Sequence, residues 1–199
     1  MIMEILNNIW TALTTENEVL INIFSIPLTF IEAIVYMLLF TTILKIDSSK
    51  KQKSIYVLFA TLMGILCTFF IPKPYSNIVT ILLTPIAIKL IFKVSILKGI
   101  FAEFLPLVCV TVLEIILARV FLLIFGTSYE VCANIPLCRL FITLFIYLAV
   151  FLIAYFSKRY NFSIAIFDSM SKRNKRILFL NTLFAIVVIF MQMCTEPKN

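Results

Sequence analysis

The stretch Leu20–Leu44, LINIFSIPLTFIEAIVYMLLFTTIL, followed at once by Lys45–Lys53, KIDSSKKQK, decides how this chain is read. About 25 apolar residues in helical form cross the roughly 30 Å hydrocarbon layer of a bilayer. A lysine cluster directly behind such a run marks its cytoplasmic end. Working outward, the same alternation of apolar run and turn or basic segment repeats along the chain. It predicts further spans at Ser54–Ile71, Ile78–Phe92, Gly99–Phe125, Leu137–Phe156 and Ile177–Met193. The 199 residues are 62% hydrophobic, with mean hydropathy +1.10. That leaves too little polar surface for a water-soluble domain of this length. The expected fold class is all-α: a polytopic membrane helix bundle of about six transmembrane helices.

Of the 17 Lys and Arg, thirteen fall in three clusters: Lys45/Lys50/Lys51/Lys53, Lys89/Lys93/Lys98 and Lys158/Arg159/Lys172/Arg173/Lys175/Arg176. The positive-inside rule puts 45–53, 93–98 and 157–176 in the cytoplasm, and the amino terminus and the polar tail 194–199 outside. Before the first span, Ile2, Ile5, Leu6, Ile9, Trp10 and Leu13 recur at helical spacing opposite Glu4, Asn7, Asn8, Thr11 and Thr14. The spacing predicts an interfacial amphipathic helix within 1–17, with Trp10 at headgroup level. Thr15 and Glu18 have the spacing of a capping box that opens the first span. The organisation is thus an amphipathic helix at 1–17, a six-span bundle at 18–193 and the short tail. Pro72–Asn77 reads as a tight turn, because two prolines there stop a helix. Residues 126–136 form the longest loop on the sparsely charged side. In the basic segment 157–176, Phe162, Ile166 and Met170 stand at helical spacing and suggest a short surface helix.

The net charge of +7 flanks spans, so topology and anionic headgroups account for it and nucleic acid is not an expected partner. The chain has no histidine, which excludes His-containing metal sites, Ser–His or Cys–His nucleophilic pairs and a histidine phosphoacceptor. Three glycines leave no Gly-rich phosphate loop. No metal, cofactor or catalytic group is expected. Cys132 and Cys138 flank the loop on the sparse side. They read as two small apolar residues, with a disulfide as the alternative in an oxidising compartment.

Ionisable residues inside spans are costly, and so are the first functional candidates. Glu32 lies near the middle of the first span, Glu114 near the middle of the fourth, Glu103 toward its inner end and Arg119 in its outer half. Glu103 and Glu114 are about three helical turns apart and share a face, whereas Arg119 points off that face. A cross-helix contact of Glu32 with Arg119 or Glu114 is the expectation if the first and fourth spans touch. Such groups either lock helix packing or bind and couple a ligand. Arg139, at the outer start of the fifth span, joins Lys73, Tyr75, Tyr129 and Glu130 as candidates for an outward-facing site, with interface anchoring as the alternative role. Pro27, Pro85 and Pro106 fall inside spans and free a backbone carbonyl each.

Two stretches carry a resemblance. Phe70-Ile-Pro-Lys-Pro-Tyr-Ser-Asn through Ile100-Phe-Ala-Glu-Phe-Leu-Pro, and Phe156-Ser-Lys-Arg-Tyr-Asn-Phe through Ser171-Lys-Arg-Asn-Lys-Arg-Ile-Leu-Phe-Leu-Asn, resemble the membrane-embedded sensor half of Gram-positive, clostridial-type quorum-sensing histidine kinases. The accessory gene regulator receptor kinase is the best-known relative. The likeness is one of loop texture and span order over residues 8–193. It implies a sensor and receptor module of a two-component signal-transduction system in the bacterial cytoplasmic (inner) membrane. It also implies an extracellular peptide or small apolar ligand, a homodimer, and a kinase output that this sequence does not contain. The alternative is the small substrate-binding membrane subunit of a vitamin-type transporter, which matches in size and span number; no Ala-x-x-x-Ala docking face supports it. An enzyme reading fails on chemistry: the peptide-processing endopeptidase that accompanies such receptors needs histidine, and an aspartyl membrane protease needs aspartates where this chain has Glu32 and Glu114.

Overall fold

The structure is a computed structural model that describes residues 2–72, 75–126 and 129–162. These residues are all-helical, with no strand among them. The elements are α1 (Ile2–Thr14), α2 (Glu18–Ile43), α3 (Lys50–Phe70), α4 (Tyr75–Phe92), α5 (Ile96–Phe125), α6 (Tyr129–Ala133) and α7 (Pro136–Arg159). Four of them, α2, α3, α5 and α7, are long and apolar enough to cross a membrane, and α4 adds the shorter apolar stretch Ile78–Phe92. The sixth predicted span, the surface helix around Ile166 and Met170, and the tail lie outside the described residues.

The helix ends follow local chemistry, in places differently from expectation. The cap of α2 is Asn17, whose side chain accepts from the Leu20 amide. Thr15 instead donates its hydroxyl to the Thr11 carbonyl at 2.7 Å. Asn is the stronger cap because its short amide reaches the N3 N–H from an extended backbone. The capping box sits at α3: Ser49 Oγ accepts from the Gln52 amide, and the Ser49 amide donates to Gln52 Oε1. This box starts α3 at Lys50, earlier than the hydropathy suggests. Likewise α4 starts at Tyr75, inside the stretch read as a turn, and the loop 126–136 carries the single turn α6. Lys45, Lys93 and Asn161 have positive φ just beyond α2, α4 and α7, and Gly126 does so beyond α5. A left-handed residue there stops the ladder of carbonyls.

Two hydrophobic clusters hold the helices together. One joins Leu28, Val35, Leu39 and Ile43 of α2 to Ile142, Ile146, Val150 and Ala154 of α7, with Leu105, Leu113 and Leu117 of α5 against it. The other gathers Phe40, Tyr56, Ile88, Phe92 and Ala102 from α2, α3, α4 and α5. In it Phe40 meets Tyr56 edge-on at 5.2 Å and Phe92 at 5.6 Å, the favoured geometry for aromatic quadrupoles. Gln52 Nε2 ties the start of α3 to the end of α4 by donating to the Ile91 carbonyl at 2.8 Å. Glycine permits two close approaches: a Cβ on Gly64 would stand 2.5 Å from Thr29 Cγ2, and one on Gly99 2.6 Å from the Pro85 carbonyl oxygen. These contacts align α2 and α7 in one direction, with α3 antiparallel to α2. The described members of the three basic clusters thereby gather at one end of the bundle.

The outward faces are as apolar as the core. Leu58 is 62% exposed and Leu123 85%, and Leu62, Leu66, Leu82, Leu90, Ile115, Phe141, Phe145 and Leu148 are exposed with them. Apolar patches on this scale are poorly solvated by water and suit a lipid surrounding. On α1, Ile9 and Trp10 are also exposed.

Candidate functional site

The end of the bundle opposite the basic residues opens into a cleft of about 950 Å³. Three segments build it: the first half of α2, the end of α3 with the residues that follow it (Thr68 to Pro72), and the stretch from Asn134 into α7. Along α2 the polar lining residues are Glu18, Asn22, Ser25, Thr29 and Glu32, with Ile21 and Leu28 beside them. They recur every three or four residues and so form one polar face on an otherwise apolar helix. Facing them on α7 are Arg139, Thr143 and Tyr147, spaced at four residues and again on one face. Phe69, Phe70, Ile71 and Pro72 supply an apolar wall, and Glu16 and Asn17 stand at the mouth. From Glu18 to Glu32 the polar face descends about 21 Å along the helix axis, past the middle of α2.

Glu32 closes the deep end. Its Oε2 accepts a hydrogen bond from the Tyr147 hydroxyl at 3.0 Å. Tyr36 lies beside the same carboxylate and packs edge-on against the Tyr147 ring, centroids 6.5 Å apart. Above it, the Ser25 hydroxyl donates to the Asn22 carbonyl at 2.6 Å and the Thr29 hydroxyl to the Ser25 carbonyl at 2.8 Å. Each of these side chains has one proton and two lone pairs. With these protons committed to the helix backbone or to Glu32, Ser25, Thr29 and Tyr147 present acceptors, while the Asn22 amide and the Thr143 hydroxyl line the same cleft. Arg139 contributes the cationic donor, two turns nearer the mouth than Tyr147.

Of the residues singled out in the sequence, Glu32 and Arg139 line this cleft. Glu103 and Glu114 are half-buried on α5 and lie close enough for their charges to act on Glu32, yet neither lines the cleft. Arg119 is exposed on α5; of the two partners expected for Glu32, Glu114 lies near it, and the hydrogen bond across helices comes from Tyr147. Tyr75 is exposed at the start of α4, away from the cleft lining. Tyr129 and Glu130 open α6, and Lys73 lies outside the described residues. Cys132 and Cys138 are neighbours across the α6–α7 turn, within hydrogen-bonding reach and not joined as a disulfide. Among the described residues no three acidic or cysteine side chains converge as metal ligands.

Sequence reasoning missed Tyr147, Thr143, Asn22, Ser25 and Thr29. The signal was present as the spacing of polar residues inside the first span, Glu18, Asn22, Ser25, Thr29, Glu32, and inside the fifth, Arg139, Thr143, Tyr147.

Fold and cleft together define a membrane-like helical bundle with a polar cavity reaching into its middle. No protein-family model matches the chain, and no curated protein or solved structure matches it.

Proposed function

We propose that the chain is the membrane-embedded sensor module of a signalling receptor, with the cleft facing the cell exterior and taking an extracellular ligand. One observation carries the reading: the polar cleft opens at the end of the bundle opposite Lys45, Lys50, Lys93, Lys98 and Lys158, the end that the positive-inside rule assigns to the outside. A ligand seated between α2 and α7 contacts the two helices whose far ends meet the basic side. A change in their packing is then felt at the cytoplasmic end, as a population shift between two arrangements of the bundle. The resemblance to quorum-sensing receptor kinases supports a peptide as that ligand, with a kinase as the output partner.

The second reading, a substrate-binding membrane subunit of a transporter, draws on the same cleft, since a cavity reaching mid-span also suits a translocated substrate. One experiment separates the two. The full chain is reconstituted in sealed vesicles and exposed to the low-mass peptide fraction of medium conditioned by the cells that make it. The receptor reading expects slowed hydrogen exchange in Glu18–Glu32 and Pro136–Tyr147, a change at Lys45–Lys53, and no accumulation inside the vesicles. Accumulation of a peptide in the lumen would establish the transporter reading, and an unchanged exchange pattern would remove the receptor one.

A further inference from the structure

The committed protons of the cleft specify what it holds. Ser25 and Thr29 spend their hydroxyl protons on the backbone of α2, and Tyr147 spends its own on Glu32. Ser25, Thr29 and Glu32 therefore offer a guest lone pairs and a carboxylate, and a guest that meets them brings N–H or O–H donors of its own. A cationic guest also supplies a charge that the two phenols on Glu32, Tyr147 and Tyr36, do not. Nearer the mouth, where Glu16 and Glu18 also line the cavity, Arg139 is the cation of the lining and offers five donors in a fork suited to a carboxylate. Arg139 and Tyr147 are eight residues apart on α7, about 12 Å along the axis. Extended peptide advances about 3.3 Å per residue, so three or four residues separate two charged ends at that distance. The cavity, about 950 Å³, lies in the range of sites that enclose a small organic ligand. Its apolar side, Phe69 to Pro72, faces no charge in such a guest.

We propose that the cleft binds a short linear peptide with free ends, amino end first: the α-ammonium against Glu32 and Thr29, one turn apart on α2, and the carboxylate at Arg139. This rests on the outward-facing receptor reading and names its ligand class.

The full chain in nanodiscs is incubated with three pools of tri- and tetrapeptides at about 1 mM, a concentration that detects weak complexes. One pool has free ends, one is N-acetylated and one is C-amidated, and retained species are read by mass spectrometry. The expected result is about tenfold greater retention of the free-ended pool than of the acetylated one, the loss that follows from leaving buried acceptors unmet. Glu32→Gln erases that preference, while Arg139→Gln keeps it and erases the preference for acid over amide. The first comparison is made on the unaltered chain, so it stands even if a variant fails to fold. Equal retention of free and acetylated pools, or retention of neither, overturns the proposal. If neither pool is retained while conditioned medium still protects α2 and α7, the ligand class falls and the receptor reading stands. If the free-ended pool is retained and also accumulates inside sealed vesicles, the ligand class stands and the receptor reading falls.

Discussion

At the scale of single residues, Glu32 shows what could and could not be seen in advance. A carboxyl in the middle of an apolar run is conspicuous in any sequence, because hydrocarbon does not solvate it. Its partner was hidden: Tyr147 is 115 positions away and sits in a run of Leu, Phe and Ile where an aromatic reads as filler. Tyr147→Phe removes one of the two phenol donors on the carboxyl, Tyr36 being the other, and should cost about 0.5–1.5 kcal/mol, read as a lower unfolding midpoint in detergent. Glu32→Gln keeps an acceptor for Tyr147 and should cost less stability, while removing the response to conditioned medium. Normal response in a well-folded Glu32→Gln chain would show that this charge has no part in signalling. Gly99 gives a purely steric counterpart. Gly99→Ala drives a Cβ to 2.6 Å from the Pro85 carbonyl oxygen, a backbone atom that moves only with α4, so a loss of about 1–3 kcal/mol is expected from overpacking. An unchanged midpoint would mean that α4 and α5 separate freely at this point.

At the scale of elements, hydropathy located the helices but averaged away the faces that matter. Asn22, Ser25 and Thr29 lower the mean of α2 only slightly, so the run still reads as lipid-compatible. Their spacing carries the information, and it becomes visible when polar positions are followed around the helix instead of along it. Helix starts were blurred for a similar reason: Ser49 and Gln52 look like loop residues beside three lysines, yet together they cap α3. The polar face of α2 makes a direct prediction about water. In a chain whose five native cysteines are replaced, Ser25→Cys should react with a membrane-impermeant thiol reagent, because it opens into the cleft. Ile23→Cys, two positions away on the exposed apolar face, should react far more slowly in a bilayer. Equal rates at the two positions would mean that water does not enter along α2. Ser49→Ala tests the cap at the other end of the bundle, with an expected loss of about 1 kcal/mol.

At the scale of the whole molecule, the distribution of charge and the position of the cleft are two independent facts that agree. Charge could be read from the sequence, because lysines and arginines flank spans whatever the packing. The cleft could not, because it exists only once α2 and α7 lie side by side in the same direction with the end of α3 closing one wall, and no local pattern states which helices become neighbours. The basic end carries Lys45 and Lys50 at the α2–α3 connection, and the cleft end carries Glu16 and Glu18 at the start of α2. If the basic end is cytoplasmic, the two ends differ in their access to reagents added to intact cells. Ser48→Cys should be labelled by an impermeant maleimide only after the membrane is opened, and Glu16→Cys should be labelled before it. A prior block with a permeant maleimide should remove both signals. Labelling at position 48 in intact cells would invert the bundle and turn the cleft toward the cytoplasm. Arg139 and Glu32 would then face an intracellular ligand, and the extracellular receptor reading would fall with the orientation on which it depends.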